Sequence, residues 1–182
     1  EEGGKSYSSD QGVLYNADKT TLVRCPVSTE LEKYEVNEAT ETIGDNAFDS
    51  CQSLKELNLG KNVKKLGKKV LASPYYGPVM QITKLIVSDN IEEVGENLYG
   101  GNSNYQTQIT TLEVPASVTK VLPVFYNRLS LKEINAEEGG KSYSSEQGVL
   151  YNADKTTLVR CPASTELEKY EVNEATVTRG DN

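Results

Sequence analysis

Reactive side chains are concentrated at a few places in this 182-residue chain: three cysteines, one Arg-Gly-Asp tripeptide and two stretches rich in tyrosine and asparagine. Arg179-Gly180-Asp181 offers a guanidinium and a carboxylate across a glycine, the kind of tripeptide that integrins read. The guanidinium suits an acidic pocket, and the carboxylate can complete a metal site on a partner. A tripeptide is a low-specificity match, and in an earlier copy of the same text this place reads Ile43-Gly44-Asp45 with Ile43 at a core position. Burying an arginine there would be costly, so Arg179 is expected to be exposed at an open chain end, and drift is favoured over function.

Cys25, Cys51 and Cys161 are an odd number without Cys-x-x-Cys spacing, which argues against zinc or redox chemistry. Cys51 follows Ala47-Phe48 at a repeat end and reads as a small buried hydrophobe, while Cys25 and Cys161 are equivalent positions in two copies of one segment. The chain has no histidine, and with it lacks the commonest general base and metal ligand. It also has no glycine-rich phosphate loop and no Gly-x-Ser-x-Gly elbow. Acidic residues such as Glu92-Glu93 sit at polar repeat positions, where solvation explains them. No catalytic residue, metal site or cofactor is expected, and the chain reads as a non-enzyme.

The two remaining stretches are Ser73-Pro-Tyr75-Tyr76-Gly-Pro78-Val-Met80-Gln81 and Gly100-Gly-Asn102-Ser-Asn104-Tyr105-Gln-Thr-Gln108. Tyrosine gives rigid aromatic contact area, and asparagine, serine and glycine give adaptable hydrogen bonding. Tyr75, Tyr76, Asn102, Asn104 and Tyr105 are therefore the binding candidates. The competing reading is that these tyrosines pack beneath their own loops. Tyr99 aligns with Phe48 and Leu71 and is read as core.

What positions these residues is a repeat. Leu54-Lys-Glu-Leu57-Asn-Leu59, a polar turn, then Val63-Lys-Lys-Leu66-Gly67-Lys-Lys-Val70-Leu71 sets the frame. It returns at Ile82–Tyr99 and at Ile109–Tyr126. Repeat starts fall at Leu31, Leu54, Ile82, Ile109, Leu131 and Leu167. A period of this size marks a solenoid, in which each unit buries its apolar edge by stacking on its neighbours. The last two apolar residues of each first run lie two apart and share one face of a strand, which predicts a parallel sheet along one side. Gly44, Gly67 and Gly95 are expected to make tight corners, with Leu122 altering the third. Ala47-Phe48, Val70-Leu71, Leu98-Tyr99 and Phe125-Tyr126 would close each unit in a short helical or 3₁₀ turn. Both insertions follow that closing turn, so both should emerge on one flank.

Residues 1–46 recur as 137–182 with differences only at Asp10/Glu146, Val27/Ala163, Glu41/Val177 and Ile43/Arg179. Within each copy, an extended run to Tyr15, the turn residues Asn16-Ala-Asp18-Lys19-Thr20 and a β-rich run to Pro26 predict a two-stranded hairpin. The expected fold is one α/β leucine-rich-repeat solenoid domain over 1–182, β-rich, its parallel sheet joined by short helical or 3₁₀ turns. Hairpin insertions occupy about 5–26 and 141–162, and repeats about 31–136 and 167–182.

Composition fits this thin architecture: 36% of residues are hydrophobic and mean hydropathy is −0.54, low for a compact globule with a deep core. A net charge of −8 and a pI near 4.7 argue against nucleic acid or an anionic membrane as partner. The lysine run Lys61, Lys64, Lys65, Lys68, Lys69 is a local exception, read as a solvated face rather than a docking patch. No apolar run approaches the roughly 20 residues that span a bilayer, and no signal peptide is present.

The unit Thr40-x-x-Ile43-Gly44-x-x-Ala47-Phe48-x-x-Cys51-x-x-Leu54-x-x-Leu57-x-Leu59 resembles the BspA-like leucine-rich repeats of bacterial surface proteins. It departs from the familiar leucine-rich repeat because Asn62 and Asn90 are followed at once by Val63 and Ile91. The segment Gly12-Val13-Leu14-Tyr15-Asn16 with Leu22-Val23 and Pro26 is similar to an insertion common in that family. The resemblance covers essentially the whole chain. It implies a secreted or wall-attached, extracellular protein that binds host or other extracellular proteins, and it supplies no catalytic residues. A non-enzymatic adhesion module is the leading expectation. The alternatives are a spacer segment of a tandem surface array, with end-to-end self-association, and integrin-type attachment through Arg179-Gly180-Asp181.

Overall fold

The computed structural model describes residues 6–49, 51–72, 80–99, 108–126 and 130–180. In chain order the first strands are β1 (Tyr7–Asp10), β2 (Val13–Asn16), β3 (Thr21–Arg24), β4 (Lys33–Glu35) and β5 (Thr42–Ile43). Next come β6 (Glu56–Asn58), β7 (Lys65–Leu66), β8 (Lys84–Ile86), β9 (Glu93–Val94) and β10 (Thr111–Val114). After the helix α1 (Pro123–Tyr126) follow β11 (Glu133–Ala136), β12 (Tyr143–Glu146), β13 (Val149–Asn152), β14 (Thr157–Arg160) and β15 (Thr178–Arg179). The chain divides into two compact units, Glu1–Thr83 with Asn90–Gln108, and Lys84–Asp89 with Ile109–Asn182.

In the first unit, β4 and β6 pair in parallel with Tyr34 opposite Leu57. In the second, β8, β10 and β11 pair in parallel with Leu85, Leu112 and Ile134 in one row. These central residues are buried, and so are Leu59, Val87 and Val114 two positions further on. The expected parallel sheet and its register therefore hold. A second ladder was not expected. The segments Thr42–Ile43, Lys65–Leu66 and Glu93–Val94 also pair in parallel, stacking Ile43 on Leu66 on Val94. The turns that carry β4 with β5 and β6 with β7 thus have two short strands each, and the core lies between them.

The hairpin reading needs one correction. The stretch to Tyr15 is two strands, because Gln11 (φ 49°) and Gly12 (φ 84°) make a tight left-handed turn between β1 and β2. Such a turn matches the twist of the flanking strands, and glycine enters it freely. The insertion is a three-stranded meander. Its β3 runs parallel to β5, with Leu22 opposite Ile43, and so joins the second ladder. The loop at 16–20 is closed as its residue types predict: Asn16 Oδ1 accepts the Thr21 amide at 2.8 Å and Asp18 Oδ1 the Thr20 amide at 3.1 Å.

The glycines also act differently from expectation. Left-handed backbone occurs two residues further on, at Asn46 (φ 53°), Lys69 (φ 54°) and Asn97 (φ 55°). Gly67 and Gly95 are needed because successive turns touch backbone to backbone. A Cβ on Gly67 would lie 2.6 Å from Asp45 N, and one on Gly95 would lie 2.5 Å from Gly67 C. Where Leu122 replaces this glycine, residues 120–121 form no strand and the closing turn becomes the helix α1. Closing segments elsewhere are turns, so the fold is a strand-rich leucine-rich-repeat solenoid and the α/β label is borne out only in part.

The duplicated segments show that burial is set by neighbouring turns rather than by local text. Cys25 and Ile43 are fully buried under the turns that follow them. Their counterparts Cys161 and Arg179 are exposed. Conversely Leu14 is 37% exposed, whereas Leu150 is buried against the preceding β11 turn, where Ile134 N donates to Gly148 O at 2.9 Å. Residues 167–172 form no strand, although the same text in the first copy pairs as β4 with β6. A strand exists only through its partner.

Candidate binding surface

The two insertions leave from adjacent turns of the first unit. Leu71 N donates to Leu98 O at 2.8 Å and Lys69 N to Glu96 O at 3.2 Å, so the closing turns that precede the insertions are stacked. Leu71, Ala72, Leu98 and Tyr99 are buried there, and Met80 and Ile82 are buried where the first insertion returns. Tyr99 is 2% exposed, as its alignment with Phe48 and Leu71 predicts. Tyr75, Tyr76, Asn102, Asn104 and Tyr105 themselves lie outside the described residues.

Around these departure points the surface is a lattice of cross-turn ion pairs. Lys61 and Lys64 reach back one repeat to Glu38 (3.9 Å) and Glu41 (3.1 Å). Lys65 and Lys68 reach forward to Glu93 (2.8 Å) and Glu96 (3.7 Å). The lysine-rich turn is thus flanked by acidic turns, which removes it as an anion-docking patch. Similar pairs line the other ladder: Lys55 with Glu32 (2.7 Å), Lys33 with Glu56 (3.2 Å) and Lys84 with Glu113 (3.2 Å). Hydrogen bonding from Lys55 holds the Glu32 carboxyl below the usual carboxylate range. These side chains are largely exposed, so solvent screening keeps each pair weak.

A feature with no sequence signal lies in the second unit. A polar groove of about 430 Å³ is bounded by Thr110, Thr111, Lys132, Glu133, Gln147 and Glu166. It forms because the second meander leaves after β11 and the chain then returns beside the same repeat, Ser164 N donating to Leu131 O at 2.9 Å. Lys132 and Glu166 form an ion pair across it that depresses the Glu166 carboxyl, and Thr111 Oγ1 donates to Glu133 Oε1 at 2.9 Å. The second insertion leads in sequence directly into Ile109 and Thr110, the edge of this groove.

Arg179 and Gly180 are exposed, as expected for Arg179. Arg179 lies in β15, in register with Leu158, and Gly180 N donates to Leu158 O at 2.7 Å. Asp181 is outside the described residues. Among the described residues no group of three or more His, Cys, Asp or Glu side chains could hold a metal ion, and no helix is long and apolar enough to cross a membrane. Cys51 is buried, as its place in the repeat predicts. What the sequence did not suggest is that its sulfur lies 3.6 Å from the carbonyl oxygen of Cys25.

Comparison with solved structures confirms the architecture. Over 97% of this chain and 54% of the other, it superposes on a leucine-rich repeat protein from Eubacterium ventriosum ATCC 27560 with a TM-score of 0.51 and 17% identity. At 15% identity, 97% of this chain matches 61% of the pneumococcal vaccine antigen PcpA with a TM-score of 0.46. A leucine rich cell surface protein from Faecalibacterium prausnitzii A2-165 matches at 20% identity and a TM-score of 0.44, over 74% of this chain and 40% of that one. The chain therefore spans from two fifths to about three fifths of the length of these structures. Among curated proteins no match was found. At 17% identity the likeness to the Eubacterium ventriosum structure speaks for the fold alone; the family rests on the repeat itself, since the profile of the BspA type leucine rich repeat region matches six copies over residues 25–153. With this match over most of its length, the chain belongs to the BspA-type leucine-rich-repeat family.

Proposed function

We propose that this chain is a non-enzymatic, extracellular protein-binding module of a bacterial cell-surface or secreted protein, and that the insertions 73–81 and 100–108 carry the contact. The observation behind this reading is the pair of stacked closing turns, Leu71 N to Leu98 O, from which both insertions depart. Side-by-side departure lets two tyrosine- and asparagine-bearing loops act on one partner, and loops held on a rigid scaffold are the usual carriers of recognition. The neutralised lattice around them leaves aromatic and amide groups, rather than net charge, to select the partner.

The test is saturable binding to a panel of extracellular-matrix proteins, measured for the native chain and for Tyr76→Ala/Tyr105→Ala. Binding lost in the double variant, with an unchanged unfolding midpoint, supports the proposal. Binding retained in that variant assigns contact elsewhere. The second reading, a spacer within a tandem array, is favoured by the ion pairs that join successive turns. Absence of saturable binding across the whole panel would select it.

A further inference from the structure

The fold brings two of the three cysteines together in a way the binding reading does not use. Cys25 directly follows β3 of the first meander, and Cys51 lies 26 residues later, just before the repeat start at Leu54. Both are fully buried. The Cys51 Sγ lies 3.6 Å from the carbonyl oxygen of Cys25 itself, and both sulfurs lie 3.9 Å from the same Pro26 carbonyl oxygen. Each thiol shifts the ionisation of the other, lowering Cys25 and raising Cys51.

Their backbones are also tied. Cys25 N donates to Ala47 O at 2.7 Å, and Cys51 N to Phe48 O at 3.2 Å. Arg24, next to Cys25, clamps the intervening turn through Nη1 to Asn46 O at 2.7 Å and Nη2 to the Asp49 carboxylate at 3.4 Å. Both sulfurs thus converge on one carbonyl oxygen, between backbone segments that are themselves hydrogen-bonded, as a bridging pair requires.

From this geometry we infer that Cys25 and Cys51 are a disulfide-forming pair that staples the first meander to the repeat stacked on it. The chemistry is thiol–disulfide exchange with an external disulfide, for example oxidised glutathione or a disulfide oxidoreductase. The Cys25 thiolate attacks one sulfur of the external disulfide and releases its other half as a thiol, leaving a mixed disulfide. Cys51 then loses its proton, attacks the Cys25 sulfur and displaces the second half. Two S–H bonds become one S–S bond, and one external disulfide is reduced to two thiols. The Cys51 thiol and the charge of Arg24 pull the Cys25 thiol below its usual range, which makes Cys25 the attacking group; the Cys25 thiol and burial push Cys51 up. Because both sulfurs are buried, exchange occurs as the repeat 47–72 docks or during its local opening.

Cys161 is the internal control. It directly follows the same strand of the duplicated meander, yet it is exposed and has no cysteine facing it among the described residues. Refolding with a glutathione redox buffer, followed by alkylation in denaturant and intact-mass measurement, tests the pairing. The expected product is lighter than the reduced chain by two hydrogens, takes up a single alkyl group at Cys161 and yields a proteolytic peptide joining Cys25 to Cys51. Its unfolding midpoint should exceed that of the reduced chain. The variants Cys25→Ala and Cys51→Ala should each lose both the mass change and the redox-dependent midpoint shift, whereas Cys161→Ala should keep them. Alkylation of all three thiols after oxidative refolding, or a cross-link through Cys161, would overturn the inference, and the native chain alone is enough to see either result.

Discussion

Substituting alanine for Gly67 separates two explanations of the repeated glycine. If glycine served a special backbone conformation, then Gly44, Gly67 and Gly95 would be equally intolerant. The structure makes them unequal. A Cβ on Gly67 would sit 2.6 Å from Asp45 N and 2.7 Å from Gly44 C, and one on Gly95 would sit 2.5 Å from Gly67 C and 2.7 Å from Gly67 O. On Gly44 the nearest atom would be Leu22 O at 3.0 Å, with the next at 3.7 Å. At Gly67 and Gly95 the obstacle is backbone, so relief requires separating two turns. That movement strains the bonds Gly67 N to Ile43 O and Gly95 N to Leu66 O, both 2.8 Å. Overpacking costs about 1–3 kcal/mol and a weakened ladder bond about 0.5–1.5 kcal/mol, offset by about 0.4–1 kcal/mol from the stiffer unfolded chain. Gly67→Ala and Gly95→Ala are therefore expected to lose about 2–3 kcal/mol, and Gly44→Ala to stay within about 1 kcal/mol of the parent. Denaturant unfolding followed by far-ultraviolet circular dichroism reads the difference. Equal losses at all three positions, or a stabilised Gly67→Ala, would refute the close-approach explanation.

Leu57→Ala, at a fully buried position opposite Tyr34, should cost about 2–5 kcal/mol, and an unchanged unfolding midpoint would sink the repeat register. Tyr34→Phe removes the partner of Tyr15 in a buried hydroxyl pair 2.5 Å apart and should cost about 1–3 kcal/mol. Tyr170→Phe, whose pair with Tyr151 is only partly buried, should cost less, and equal costs would contradict burial as the cause. For pH, bonding from Thr20 and Lys132 lowers the carboxyls of Asp18 and Glu166, so the stability they contribute is present above the unfolded values of 3.8 and 4.5 and is lost as pH falls through the lower folded ones. Burial raises Tyr15 and Tyr34, so their contribution is intact below 10.0 and is lost as pH rises through the folded values. A thermal-midpoint profile should fall at both ends, with alkaline loss beginning above 10.0; a profile flat to higher pH would reject the tyrosine account. Asp181→Glu should leave integrin-dependent cell attachment unchanged, and abolished attachment would reassign the tripeptide.

The parallel sheet was legible in the sequence because its signal repeats: apolar-x-x-apolar-x-apolar places Tyr34 against Leu57, and Leu85 against Leu112 and Ile134. The second ladder was not, since two-residue strands such as Thr42–Ile43 are too short to show a period of two. The first meander was read as two strands because polar Ser8 to Gln11 continue an alternation that Gln11-Gly12 in fact reverses. Gly67 was read as a tight corner, but its reason lies in the turn beside it, and sequence does not display neighbours. The same limit hid the groove, whose walls come from Thr110 to Leu167. One signal was available and unused. The separation of Cys25 and Cys51, 26 residues, falls within the range of the repeat spacing, the distance over which the chain comes back beside itself.

That spacing also changes how the charges are understood. Lys64 pairs with Glu41 at a separation of 23 residues and Lys65 with Glu93 at 28, the offsets of the neighbouring repeats. Each such pair is weak because it is exposed. Their arrangement nevertheless discriminates: a lysine-rich turn stacked on another would oppose like charges at every site, while one between acidic turns opposes none. The charges thus favour one order of turns more than they add to stability. Around the departure points of the insertions, Lys61, Lys64, Lys65 and Lys68 are committed to internal pairing. Recognition would then fall to the segments that leave the lattice, after Ala72 and after Tyr99, where the buried closing turns hold uncharged, aromatic-bearing insertions at neighbouring positions. On this argument, reversing the signs of Lys64 and Glu41 together should leave partner binding intact, while either single reversal should lower the unfolding midpoint. Binding that tracked the lysine charge instead would return the basic turn to the list of contact surfaces.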